Sequence, residues 1–275
     1  MKKRTFWILL VLLLLVFGIS SFFVVREISE RKHTKNLYED LARQVGTEED
    51  PVPASETIPF CPTEQELETT ENTFAEMTEE PEQTEPALLP EYIQLHEMNP
   101  DMIGWIVIED TTINLPVMYA PDRPDYYLRR DFTGERNRYG CLYVQEECDP
   151  EKPSDNLIIH GHDMYKDRMM FGDLTLFQEK DFWENHRTFR FDTLKEHGTY
   201  EIIAVARTTP REFPYYKFFD AETEEQFDAY VQTCKEISLY DTGVTAEYGD
   251  KLLTLSTCIY HTEGGRLIVV AKKVY

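Results

Sequence analysis

The sequence predicts a mostly β domain, an eight-stranded barrel or sandwich, which follows an N-terminal apolar helix and an acidic segment. Eight short runs rich in β-branched or aromatic residues lie within about 170 residues, a density typical of such folds. A run of 20 residues without a charge stands near the N-terminus, and no lysine or arginine occurs between Arg43 and Arg123. Together these features predict three parts of different physical character.

The apolar run, residues 6–25, predicts a transmembrane anchor. At about 1.5 Å per residue it spans roughly 30 Å, the thickness of a bilayer core. A cleaved signal peptide is the alternative, but the run is longer than a signal core and no Ala-x-Ala site follows. Positive residues flank both ends, so charge does not decide the orientation. The simpler topology keeps residues 1–5 as a short cytoplasmic tail and places the C-terminal domain outside the cell.

The net charge of −23 is concentrated after the anchor. Glu48 to Glu85 contains 13 acidic residues among Thr, Pro and Ser, a composition that does not bury enough apolar surface to fold. Residues 26–86 are therefore predicted to form a juxtamembrane helix and an acidic disordered stalk, and residues 87–275 the folded domain. The shortage of cations excludes nucleic acid as a partner.

The elements of the domain follow from periodicity and turn residues. Leu88–Met98 is predicted to be an opening amphipathic helix, Met169–Phe182 a second helical segment, and Thr223–Gln226 a capping box that starts a helix of about 14 residues before the Cys258 strand. The predicted strands are Gly104–Ile108, Ile113–Tyr119, Tyr139–Val144, Asn156–His160, Thr188–Asp192, Thr199–Arg207, Lys251–Cys258 and Arg266–Val274.

Cysteine usage excludes a structural metal site. The five cysteines include no CxxC pair, which argues against zinc, and the acids cluster in the stalk rather than at ligand spacing in the domain. No sequence motif for a cofactor is present. Cys234 falls on the apolar face of the inserted helix and is interpreted as a core residue.

Cys258 is the candidate nucleophile. It ends a strand, on the face that it shares with Thr254 and Ser256, where it can meet a substrate in a groove. The alternative is a buried structural cysteine, the commoner state of a free thiol.

Two further residues complete a candidate constellation. His162 follows Gly161 at a strand end and is a candidate acid or base; His160 is a competitor, which we place on a different face. Arg266 opens the last strand, and a short hairpin returns it beside Cys258, where it can stabilise an oxyanion. A surface-loop histidine and a strand-edge arginine paired with an acid are the alternatives.

These residues resemble the sortases, membrane-anchored cysteine transpeptidases of Gram-positive bacteria. Thr254-Leu-Ser-Thr-Cys258 is similar to the TLxTC signature, Ile159-His-Gly-His162 to the segment of the catalytic histidine, and Arg266 with the following Leu-Ile-Val-Val-Ala-Lys to the arginine strand. The resemblance covers about Leu88 to Tyr275. Gly104-Trp-Ile, Ser256 and the inserted helix are similar to class B.

The resemblance implies a sortase-like eight-stranded β-barrel and a cell-surface transpeptidase without metal or cofactor. Its partners would be secreted proteins with a C-terminal sorting motif of NPxTx or LPxTG type, cleaved after Thr through a thioester at Cys258. The acyl group would pass to an amine of peptidoglycan or a pilin Lys. Arg266 would stabilise the oxyanion, His162 would protonate the leaving amine, and Ser256 and Thr257 would contact the substrate. Ile259 follows Cys258 where class B members can carry an acid, which bears on substrate preference.

Two other functions are compatible with the same residues. One is a membrane-anchored hydrolase that trims peptides without transferring them. The other is a catalytically inactive, sortase-like binding module in which the three motifs serve only the scaffold.

Overall fold

The structure, a computed structural model, describes residues 2–46, 87–150, 154–164, 166–260 and 262–274. The predicted acidic stalk, Glu48 to Glu85, lies outside these residues. The prediction of disorder there stays a prediction.

Eight strands close a barrel, and each of them overlaps a strand predicted from the sequence, with ends that differ by up to three residues. Their order around the barrel is β1-β2-β3-β4-β9-β10-β8-β7; β2–β3 and β4–β9 are parallel pairs and the other neighbours are antiparallel. The barrel strands are β1 Met102–Val107, β2 Asn114–Met118, β3 Leu142–Val144, β4 Asn156–Gly161, β7 Thr188–Thr193, β8 Thr199–Thr208, β9 Leu252–Cys258 and β10 Arg266–Lys273. Two short strands, β5 Asp163–Met164 and β6 Met169–Met170, pair as a separate hairpin.

Strand β9 is covered on both faces, which explains its mixed sequence. Leu253 and Leu255 alternate with Thr254 and Ser256, and all four are buried. The hydroxyl of Thr254 donates to Asn156 Oδ1 at 2.8 Å. A buried hydroxyl is tolerated only when it has such a partner, so the polar face of β9 requires a matching polar layer around it.

Among the described residues, three α-helices follow the long N-terminal one: α2 Pro90–Met98, α3 Lys180–Asn185 and α4 Glu224–Glu236. Helix α4 buries Phe227, Val231 and Cys234, as the sequence predicts for the inserted helix. The predicted helical segment Met169–Phe182 is confirmed in its later part, which contains the 3-10 segment Asp173–Gln178 and the start of α3. It was wrong at its start, where Met170 adopts a left-handed φ of 54° in the β5–β6 hairpin.

The capping box at α4 supplies a stability prediction. Thr223 Oγ1 accepts from Gln226 N at 3.4 Å, and Gln226 Oε1 accepts from Glu222 N at 2.9 Å. We expect Thr223→Ala to lower the free energy of unfolding by about 1 kcal/mol, because it leaves a helix-terminal N–H without its side-chain acceptor. Urea denaturation measures this. The control, Thr223→Ser, keeps the acceptor and should stay near the original stability; equal losses in both variants would contradict the capping role.

The N-terminal helix α1, Lys2–Val45, is continuous through the predicted anchor and the predicted juxtamembrane helix. Its apolar part is not covered by protein, and the helix is long and apolar enough to cross a membrane. Its C-terminal half is different. Thr34, Tyr38, Leu41 and Ala42 are buried against the barrel, which makes this half of the helix a packed part of the domain.

Candidate active site

The three candidate residues meet at one rim of the barrel because of strand direction. Strands β4 and β9 are parallel, with Gly161 opposite Thr257, so their carboxyl ends lie side by side. Strand β10 is antiparallel to β9 and begins at that rim, with Arg266 directly opposite Cys258. The Thr257 hydroxyl donates to the Gly161 carbonyl at 2.8 Å and ties the two strand ends together. His162, Cys258 and Arg266 are thus neighbours, although 104 positions separate the first from the last.

Gly161 is required by packing at the point where the chain reaches His162. A Cβ at this position would lie 2.5 Å from Leu142 Cδ2 and 2.6 Å from Phe171 Cδ2, distances that real Cβ atoms do not reach. The absence of a side chain lets the barrel close tightly beneath the histidine. The Phe171 N–H also donates to the His162 carbonyl at 3.0 Å, so the backbone of the histidine is held from both sides.

His162 is half-buried and its ring is oriented by a backbone carbonyl. Nε2 lies 2.7 Å from the carbonyl oxygen of Leu128, in the 3-10 turn Tyr126–Arg129. A carbonyl only accepts, so Nε2 carries the hydrogen and Nδ1 is the atom that titrates. Burial lowers the pKa of His162 below its ordinary value; the bond to Leu128 opposes this, and the positive charge of Arg129 adds to it.

Cys258 differs from the other cysteines that the structure describes. It is half-buried, whereas Cys141, Cys148 and Cys234 are buried. Burial raises the pKa of each of those three thiols to about 12, so none of them ionises readily. Accessibility therefore singles out Cys258 within the described part of the chain, and Cys61 lies outside it. The alternative of a fully buried structural cysteine does not fit Cys258.

Arg266 is held by the backbone of its own hairpin. Its Nη1 donates to the carbonyl of Gly265 at 3.1 Å and more weakly to that of Gly264 at 3.4 Å. The ion pairs found among the described residues do not include Arg266. Within the described residues, Arg266 is therefore not the strand-edge arginine paired with an acid that was the alternative. The guanidinium also lies beside the Tyr215 hydroxyl, and its five N–H donors are enough to bond a further oxygen at the rim.

His160 lies nearer to this site than expected. His160 pairs in register with Ser256, so it lies on the face of the sheet that Ser256 shares with Cys258. His162 follows the end of β4, and the assignment of the two histidines to different faces stays a prediction. Its Nε2 lies 2.7 Å from Gln145 Oε1. Burial and the positive charge of Arg266 lower the pKa of His160 to about 4. The ring is therefore neutral at neutral pH and does not supply a proton there.

Ser256 and Thr257, predicted to contact substrate, are buried and bonded within the protein. Ser256 Oγ lies 2.6 Å from the hydroxyl of Tyr215, and Thr257 bonds Gly161 as described above. Substrate contact by either residue stays a prediction.

Two contributors to the site were missed by sequence reasoning. Tyr215, in the 3-10 turn Tyr215–Lys217, is buried beside Ser256, and the positive charge of Arg266 opposes the rise that burial causes in the pKa of this tyrosine. The aromatic run Tyr215-Tyr216 is the only signal for it. Leu128 acts through its carbonyl, which every residue has, so no residue type reveals it.

Comparisons with known proteins agree with this geometry. The sortase domain model matches residues 106–274. The chain belongs to the sortase family. Sortase B of Listeria monocytogenes is 36% identical over 182 residues, which cover 66% of this chain and 72% of that protein.

Solved structures extend the likeness to the fold. Sortase B from Bacillus anthracis in complex with AAEK1 has a TM-score of 0.62 at 35% identity and covers 70% of this chain and 88% of its own. A Bacillus anthracis protein described as similar to sortase B has a TM-score of 0.69 at 28% identity, covering 88% and 96%. The comparisons confirm the predicted barrel and the resemblance to class B. They also confirm that the chain is a sortase-type cysteine transpeptidase, and sortases are cell-surface enzymes. Family membership implies sorting-signal proteins as substrates and peptidoglycan acceptors in general.

Proposed function

We propose that Cys258, His162 and Arg266 carry out acyl transfer from a C-terminal sorting signal to an amine. The observation that supports this most directly is the cross-strand pair: a half-buried thiol stands opposite an arginine that forms no ion pair with any described carboxylate, at the rim where His162 also lies. A nucleophile, a proton carrier and a fixed cation within one rim are the components of thioester chemistry.

The first half-reaction forms the thioester. The Cys258 thiolate attacks the Thr carbonyl carbon of the signal, a C–S bond forms, and the carbonyl oxygen becomes an oxyanion beside the Arg266 guanidinium. The scissile C–N bond then breaks, and the His162 imidazolium gives its Nδ1 proton to the leaving amine. The neutral imidazole keeps the hydrogen on Nε2, which continues to donate to the Leu128 carbonyl oxygen.

The second half-reaction returns the enzyme. An acceptor amine attacks the thioester carbonyl and loses a proton to neutral His162; the C–S bond breaks and the thiolate leaves. The acceptor is an amine of peptidoglycan or a pilin Lys. The signal is of NPxTx or LPxTG type, with Ser256 and Thr257 near it in the groove.

We also propose a cellular arrangement, which the length and apolar character of α1 support. Residues 1–5 would lie inside, residues 6–25 across the membrane, and the catalytic domain, residues 87–275, on the extracellular side. The 26–86 segment links them, and its helical part packs on the barrel as described above.

The test uses the full chain in detergent with an NPxTx peptide and an LPxTG peptide, each with and without an added amine. Mass spectrometry of the products is expected to show cleavage after Thr and ligation that requires the amine. Cleavage that ignores the amine would favour the hydrolase. A folded protein that turns over neither peptide and whose Cys258 resists alkylation would favour the binding module.

The lowered pKa of His162 predicts the pH dependence of turnover. The active form holds a thiolate and an imidazolium, so kcat/KM falls when both groups are protonated at low pH and when both are deprotonated at high pH. We expect the low-pH limb below the ordinary histidine value of about 6.5, because burial favours neutral His162. Rates measured from about pH 4 to 10 test this. A fall of kcat/KM on the low-pH side centred at or above pH 7 would contradict this expectation. The control is His162→Gln: when the rate of alkylation of the Cys258 thiol is measured against pH, this variant should lack the step caused by histidine titration.

A further inference from the structure

The C-terminal half of α1 is bonded to one loop of the barrel, residues 137–140. The Tyr38 hydroxyl donates to the Gly140 carbonyl at 2.9 Å, and Asn137 Nδ2 donates to Thr34 Oγ1 at 2.8 Å. The Arg138 N–H donates to Glu30 Oε1 at 3.1 Å. Tyr38 and Thr34 are buried, so water does not replace these bonds easily. The position of the loop therefore depends on the docking of the helix.

The same loop packs against the turn that orients His162. Its neighbour Cys141 donates its N–H to the Tyr127 carbonyl at 3.0 Å. Gly140 has a φ of +66°, and a Cβ there would lie 2.7 Å from the carbonyl oxygens of Tyr127 and Leu128. The backbones of loop and turn thus touch at Gly140. The Leu128 carbonyl at this contact is the one that accepts from His162 Nε2.

We propose that Tyr38, on the membrane-anchor helix, is a positioning residue for His162. By holding the Gly140 carbonyl it fixes the turn whose Leu128 carbonyl sets the ring orientation and tautomer of the histidine. The inference rests on the proposed function of His162 as the proton carrier of acyl transfer. It makes the docked half of α1 part of the catalytic domain rather than only a tether.

The Leu128 bond determines the direction of the effect on His162. Burial lowers the pKa of His162, the Leu128 bond raises it, and the positive charge of Arg129 lowers it. The adjoining segments also carry the ionisable groups of His160, Asp163, Cys258 and Arg266 and the tyrosines of the turn, and those beside Tyr38 are Cys141 and Asp131. A weaker bond to Leu128 removes an interaction that favours the imidazolium. The pKa of His162 then falls further, and less of the imidazolium–thiolate form is present at neutral pH.

The experiment compares Tyr38→Phe with Tyr92→Phe in the full chain. Both remove the hydroxyl of a buried tyrosine, but Tyr92 donates to Asp192 at 2.7 Å, in a different network. The His162 ring is titrated by NMR, with its signal assigned from His162→Gln, and kcat/KM is measured against pH. We expect Tyr38→Phe to lower the pKa by about half a unit to one unit and the rate at neutral pH by about three- to tenfold. Tyr92→Phe should change neither.

A second variant, Gly140→Ala, displaces the Leu128 carbonyl directly and should shift the titration of His162 in the same direction. An unchanged His162 titration in both Tyr38→Phe and Gly140→Ala, in folded protein, would overturn the positioning role. The positioning role would also be overturned if Tyr38→Phe and Tyr92→Phe shifted the pKa of His162 equally. Failure of the proposed function is a separate result: the original chain would not turn over, whereas the NMR titrations would still support or overturn the coupling.

Discussion

Replacing Cys258 with alanine is expected to abolish cleavage and ligation, a loss of at least about 10⁴-fold in kcat/KM. The side chain is the only partly exposed thiol among the described cysteines, and the two hydroxyl residues that precede it, Ser256 and Thr257, are buried and bonded elsewhere. Without the C–S bond the reaction has no acyl-enzyme intermediate. Product mass spectrometry with and without the amine measures the loss.

Cys234→Ala is the matched control. It removes a buried thiol from α4 and should cost some stability, since it leaves a small cavity, but it should leave the rate per folded molecule unchanged. Thermal unfolding of both variants checks that the Cys258 substitution acts on chemistry and not on folding. Retained turnover in Cys258→Ala would end the thioester mechanism.

Arg266→Lys is expected to lower kcat by about 10²- to 10³-fold, the scale of losing one oxyanion donor. Lysine keeps the charge but concentrates it at one nitrogen, whereas the planar guanidinium can bond the Gly265 carbonyl through one nitrogen and present another to a substrate oxygen. KM should change less than kcat, because the interaction forms with the charge of the transition state. Steady-state kinetics separates the two parameters.

Arg207→Lys is the control for this change. Arg207 is exposed on the adjacent strand β8, opposite Leu267, the residue after Arg266, so the same substitution one strand away should leave kcat near its original value. A near-normal kcat in Arg266→Lys would remove that arginine from the oxyanion role. An equal loss in both variants would indicate a general effect of charge at this rim.

The strands and the inserted helix could be predicted because their signals are local. The alternation of Leu253 and Leu255 with Thr254 and Ser256 marks β9, and the capping box at Thr223 marks the start of α4; both involve residues within a few positions of each other. The candidate residues Cys258 and Arg266 were predicted for a similar reason. They flank one short hairpin, whose two strands must pair antiparallel.

The segment after His162 could not be predicted in this way. Met170, Leu174 and Phe177 have helical spacing, yet Met169 and Met170 pair with β5 and the chain becomes 3-10 only from Asp173. All three side chains are buried. Burial by the surrounding barrel is compatible with several backbone conformations, so apolar spacing alone does not choose between them.

By itself, the sequence determined which segments form strands, which thiol is the candidate nucleophile, and which family the chain resembles, because each depends on neighbouring residue types. Only the tertiary structure decided that the Leu128 carbonyl orients His162, that Tyr215 lies on Ser256, and that Tyr38 of the anchor helix holds Gly140. These contacts join residues 34, 41 and 102 positions apart. In two of these contacts the acceptor is a backbone carbonyl, of Leu128 or Gly140. Every residue has such a carbonyl, so only the folded chain determines which one accepts the hydrogen bond.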